Sequence, residues 1–76
     1  MTITDVPRLA QYLLSKYGLA QKGWKFAWDS ARRRVGQCRY LTKEISISRH
    51  YAALNVAESP HEIVDTILHE IAHALA

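Results

Sequence analysis

Apolar positions along the chain fall into two helical stripes separated by a region of two-residue alternation. Near the N-terminus Ile3, Val6, Leu9, Ala10, Leu13, Leu14 and Tyr17 recur at the spacing of one face of an α-helix. Thr4-Asp5 stands where a helix cap belongs, Pro7 is tolerated in a first turn, and Gly18 suits the position just past a helix end. This amphipathic face is expected to pack on its own domain. Gly23 closes a short loop.

The alternation begins at Trp24-Lys25-Phe26-Ala27-Trp28-Asp29, which predicts a half-buried strand with Trp24, Phe26 and Trp28 toward the core. Ser30-Ala31-Arg32-Arg33-Arg34 reads as a basic turn. Val35 to Tyr40 is a second predicted strand, in which Gly36 marks a bulge or a close backbone approach. Leu41-Thr42-Lys43 turns the chain into a third strand, Glu44 to Ser48, with Ile45 and Ile47 inward. Connections this short favour antiparallel neighbours, so a three-stranded antiparallel sheet is expected. Tyr51, Ala52, Ala53 and Leu54 form a further helical turn.

The second stripe is Ile63, Val64, Ile67, Leu68, Ile71, Ala72 and Leu75. Ser59-Pro60-His61-Glu62 opens it as a capping box, with Ser at the N-cap, Pro at N1 and Glu at N3. Within this helix stands His69-Glu70-Ile71-Ala72-His73. Positions four apart lie one turn above each other, so both imidazoles can face a single metal ion. Glu70 points about 100° away around the helix, within reach of a water on that ion. Neutral imidazoles suit Zn²⁺, and a carboxylate beside a metal-bound water is the general base of metal-assisted peptide hydrolysis. The bare motif is short enough to arise by chance; the cap and the apolar stripe supply the context that favours a metal helix. A catalytic zinc site also needs a third protein ligand and an open position.

Composition narrows the classes. A chain of 76 residues is at most one domain. No apolar run approaches the roughly 20 residues needed to cross a bilayer, and no leader-like pattern opens the chain, so a cytoplasmic, intracellular protein is expected. The lone Cys38 has no partner for an internal disulfide and reads as a small buried hydrophobe. The net charge of +3 is uneven: residues 1–49 carry all ten Lys and Arg, and residues 50–76 carry none. Arg32, Arg33 and Arg34 are candidate phosphate contacts, with a solvated loop as the equal alternative. Exposed, the three aromatics of the first strand would stack on bases.

These residues in register resemble the SprT-like (Spartan-like) zinc metallopeptidases. The likeness runs through Trp24–Trp28, Arg34-Val35-Gly36-Gln37-Cys38-Arg39-Tyr40, Ile45-Ser46-Ile47-Ser48 and Ile63 to Ala74. It implies an α+β, zincin-like but partial fold: an N-terminal helix, the antiparallel sheet and a C-terminal metal-binding helix, forming one truncated domain over residues 1–76. It further implies His69 and His73 as zinc ligands, Glu70 as catalytic base, a protein or peptide substrate, and an association with DNA. The family's third ligand, a later His, has no counterpart here: His50 and His61 stand elsewhere in the pattern. The expectations that follow are weak zinc binding and little peptidase activity from this chain alone, fraying of the turn that carries His73, and self-association through uncovered apolar surface. The alternative is a non-catalytic module that binds nucleic acid or protein and carries an incomplete metal site.

Overall fold

The computed structural model describes residues 1–76 as three α-helices, one 3-10 turn and a three-stranded sheet. In chain order these are α1 (Asp5–Lys16), the 3-10 turn Ala20–Lys22, β1 (Lys25–Asp29), β2 (Gly36–Arg39), β3 (Glu44–Ser48), α2 (Arg49–Asn55) and α3 (Pro60–Leu75).

Helix α1 buries Val6, Ala10, Leu13 and Leu14, while Ile3 and Tyr17, at the ends of the predicted stripe, are exposed. Thr4 makes no side-chain cap. Instead the Thr2 N–H and hydroxyl donate to the Asp5 carboxylate at 2.8 and 3.0 Å, which fixes a negative charge at the positive end of the helix dipole. The C-terminal end closes as a Schellman motif: Leu19 N–H donates to Leu14 C=O and Gly18 N–H to Ser15 C=O. Gly18 adopts the required positive φ of 79°, and Leu19 drops into the core beside Leu14.

The sheet is mixed, not antiparallel throughout. Its order is β1-β3-β2, with β3 parallel to β1 and antiparallel to β2. Short connections do place β2 and β3 side by side, but β1 and β2 are not neighbours. The Ser30–Val35 segment crosses over the end of β3 to reach the far edge, and Ser48 at that end ties it down. The Ser48 N–H donates to Val35 C=O at 2.9 Å, and its hydroxyl donates to Ala31 C=O at 2.6 Å. Asp29 anchors the start of the same crossing, accepting from Ala31 N–H at 2.7 Å and from the Arg34 guanidinium at 2.8 Å.

Register places Phe26, Ile45 and Cys38 in one row, and Trp28, Ile47 and Gly36 in the next. Ile45 and Ile47 are fully buried in a core shared with α1 and α3. Trp24 is buried, whereas Phe26 and Trp28, on the edge strand, are only half-buried and meet edge to face with centroids 5.1 Å apart.

Ser48 also caps α2 by accepting from Tyr51 N–H. The capping box expected at Ser59 does not form: its side chain makes no cap bond, and Glu62 N–H bonds the Ser59 carbonyl instead. Tyr51 ties the first turns of α3 to α2, donating to Glu62 C=O and accepting from Thr66. The buried stripe of α3 is Ile63, Ile67, Glu70 and Ile71, with Ala72 and Leu75 exposed. The helix is thus turned so that Thr66 and Glu70 face β2 at Gly36. Helix α3 extends to Leu75, and the Tyr40 hydroxyl donates to the His73 carbonyl in its last turn.

Candidate metal centre

Helix α3 presents His69 and His73 on adjacent turns, both exposed. Their Nε2 atoms lie 3.1 Å apart, and the rings meet edge to face with centroids at 4.7 Å. Two nitrogens bound to one tetrahedral ion at about 2.0–2.1 Å would stand about 3.3 Å apart. The pair as placed therefore fits two corners of such a site. No cluster of three or more His, Cys, Asp or Glu side chains positioned to hold a metal occurs in the chain. His61 instead lies 3.6 Å from Glu62 at the start of α3.

Glu70 departs from the ordinary behaviour of a charged side chain. It is only 7% exposed, yet no protein group donates a hydrogen bond to its carboxylate. A buried carboxylate without any partner would be strongly disfavoured. Glu70 escapes that cost because it borders two open grooves, which give its oxygens access to water. One, of about 300 Å³, is lined by Val35, Asp65, Thr66 and His69; the other, of about 320 Å³, by Gly36, Cys38, Tyr40 and His73. The carboxylate can approach β2 this closely because position 36 has no side chain. A β-carbon there would stand 3.2 Å from Glu70 Oε2 and 3.0 Å from the Thr66 methyl. Of the two readings of Gly36, a bulge or a close approach, the second holds: the Thr66 methyl, the Ser46 carbonyl and the Glu70 carboxylate all crowd it.

Tyr40, just past β2, is marked in the sequence by its place at the end of a strand and within the stretch that carries the family likeness, with no sign of its partner. Its hydroxyl donates to the backbone carbonyl of His73, and its ring stands edge-on to the buried Trp24 at 6.0 Å. Desolvation raises the Tyr40 pKa above its ordinary value, with the Cys38 thiol and the Glu70 carboxylate adding to the effect. Burial likewise pushes the Cys38 thiol up; Tyr40 pulls it partly back and Glu70 adds to the rise. Both groups on this wall therefore keep their protons at neutral pH.

The three arginines do not act as one patch. Arg34 is committed to Asp29, whose pKa is held below its ordinary value first by that hydrogen bond. Arg32 and Arg33 are exposed and make no ion pair. The largest surface cavity, about 430 Å³, lies apart from the histidines between Ile3, Pro7, Trp28, Arg49 and Ala53, with the Arg49 guanidinium 5.8 Å from the Trp28 ring centroid. Besides the Trp28 indole, its walls hold two polar side chains, Thr4 and Arg49, and no carboxylate or imidazole.

A family model, that of the SprT-like family, matches residues 7–76. The chain belongs to the SprT-like family. Neither the curated proteins nor the solved structures compared with it give a match. The SprT-like match takes in every element except the first residues of α1, so Gly36, Tyr40, His69, Glu70 and His73 all lie within it. None of the helices is long and apolar enough to cross a membrane.

Proposed function

We propose that the chain forms the zinc-binding helix and sheet wall of a zincin-like metallopeptidase that hydrolyses peptide bonds. The observation that carries this reading is the placement of a water-accessible, unpaired Glu70 carboxylate beside two imidazole nitrogens at chelating separation. His69 and His73 offer two imidazole nitrogens from one helix face. Zn²⁺, when bound, would supply the Lewis acidity that polarises a scissile carbonyl and acidifies water. Glu70 accepts a proton from water in the groove and can return it to the leaving amine. Gly36 leaves space for that carboxylate, and Thr66 packs beside it. The reading requires one further protein donor, which none of these 76 residues supplies.

Two measurements test it. Co²⁺ or Zn²⁺ binding should be lost in His69→Ala and in His73→Ala, and should stay within about twofold of wild type in Glu70→Gln, which keeps both imidazoles. Peptide hydrolysis, measured with the third donor supplied, should fall by about 10²-fold or more in Glu70→Gln. Retained turnover in that variant removes Glu70 from the reaction, and unchanged metal binding without either histidine removes the metal site.

A second reading, nucleic-acid association, rests on the unpaired Arg32 and Arg33. Ser48 fastens their loop beside the start of α2, close to Arg49 and its Trp28 platform. Binding to single-stranded DNA should weaken steeply with salt, and Arg32→Ala with Arg33→Ala should flatten that slope by about 1–2 charges' worth. An unchanged slope argues for a merely solvated loop.

A further inference from the structure

We infer that Tyr40 is a positioning residue for the metal-binding pair: its hydroxyl holds the last turn of α3 so that His73 stays in register with His69. The inference rests on the metal reading given above for its purpose, and on the structure alone for its geometry. His73 sits in the last turn of α3, where its carbonyl accepts from the Ala76 N–H. Unwinding of that turn would carry the His73 ring away from His69. Here the His73 carbonyl receives a second donor from outside the helix, the Tyr40 hydroxyl, 33 residues earlier in the chain.

That donor is 56% exposed and is held on one side by the core. The Tyr40 ring packs edge-on against Trp24, which is buried in the core at the head of β1. A continuous path therefore runs from the core, through Trp24 and Tyr40, to the backbone of His73. Desolvation raises the Tyr40 pKa, which keeps the hydroxyl a donor through neutral pH, but the assignment stands on the contact itself. Tyr40 thereby joins the turn that carries His73 to the end of the edge strand β2.

The test is Tyr40→Phe, which keeps the ring against Trp24 and removes only the donor. The exposed Tyr12→Phe serves as control. Two readouts are taken on the whole 76-residue chain. The first is Co²⁺ affinity from its visible absorption, expected to drop about 5-fold in Tyr40→Phe, the effect of one lost hydrogen bond, and to stay unchanged in Tyr12→Phe. The second is the proton NMR contact between the His69 and His73 rings without metal, expected to weaken in Tyr40→Phe while core signals from Ile45 and Ile67 hold. Unchanged ring contact in Tyr40→Phe overturns the inference, whatever the metal does, and so does unchanged affinity in a chain that binds Co²⁺ through both histidines. If wild type binds no Co²⁺ but the ring contact is lost in Tyr40→Phe, the clamp stands and the metal reading falls.

Discussion

The Glu70 carboxylate and the bare backbone of Gly36 occupy adjoining space, so that a β-carbon at position 36 would lie 3.2 Å from Glu70 Oε2. The same β-carbon would stand 3.1 Å from the Ser46 carbonyl of β3, which cannot move without disturbing the sheet. Gly36→Ala is therefore expected to displace Glu70 and Thr66. The expected loss is about 1–2 kcal/mol of stability, read by chemical unfolding, together with a fall in hydrolysis out of proportion to that loss. Wild-type stability with wild-type turnover would show that α3 can retreat at no cost.

The ion pair Asp29–Arg34 gives the fold an acid-sensitive joint. Its carboxyl pKa is lowered in the folded chain, first by the Arg34 hydrogen bond. A lowered folded pKa stabilises the protein above the unfolded value, and that stability disappears as pH falls through the folded one. Stability should thus be level above about pH 5 and decline below about pH 4. Arg34→Gln, which removes the charge, should cost about 1 kcal/mol near neutrality and flatten the decline. An acid limb of unchanged steepness in the variant would assign the effect to other carboxylates.

Gly18 sits at φ 79° with open space around it, so a substitution there meets strain and no clash. Gly18→Ala is expected to lower stability by about 1 kcal/mol without altering metal binding, measured by thermal unfolding beside a Co²⁺ titration. A larger loss would mean that the Schellman closure also sets the position of Leu19.

Cys38 lines the groove beside Glu70, yet burial raises its pKa, so little thiolate exists at neutral pH. Alkylation by iodoacetamide at pH 7 should run at least about tenfold slower in the folded chain than in urea, where the free thiol regains its ordinary acidity. Equal rates would place the thiol in an open, polar setting.

What the sequence shows of this molecule follows the range of the physics involved. The helices α1 and α3 are written in the spacing of their own apolar residues, and the His69–His73 pair in a four-residue interval, so both are legible locally. Strand order is not: nothing in Ser30–Val35 says that it spans an intervening strand, because its tether, Ser48, comes later in the chain. Glu70 reads as a helix-surface carboxylate until Gly36 is seen to make room for it. Tyr40 carries no periodic signal at all, since its hydroxyl acts on a backbone carbonyl across the fold. The near-even reading of Arg32, Arg33 and Arg34 divides for a similar reason, with Asp29 claiming Arg34 alone.

The central placement of β3 also orders the events of folding. Arg39 and Glu44 pair across the β2–β3 turn, whereas Lys25 and Glu44 pair across 19 residues. Closing the longer loop costs about 1 kcal/mol more in chain entropy, so the hairpin is expected to form first and β1 to add to it afterwards. Substitutions in β1 should then speed unfolding and leave the refolding rate nearly unchanged. During the interval β3 shows an unsatisfied row of amides and carbonyls toward the empty β1 position. That row is a template for any extended strand, so sequence changes that delay β1 should turn a folding chain into an aggregating one.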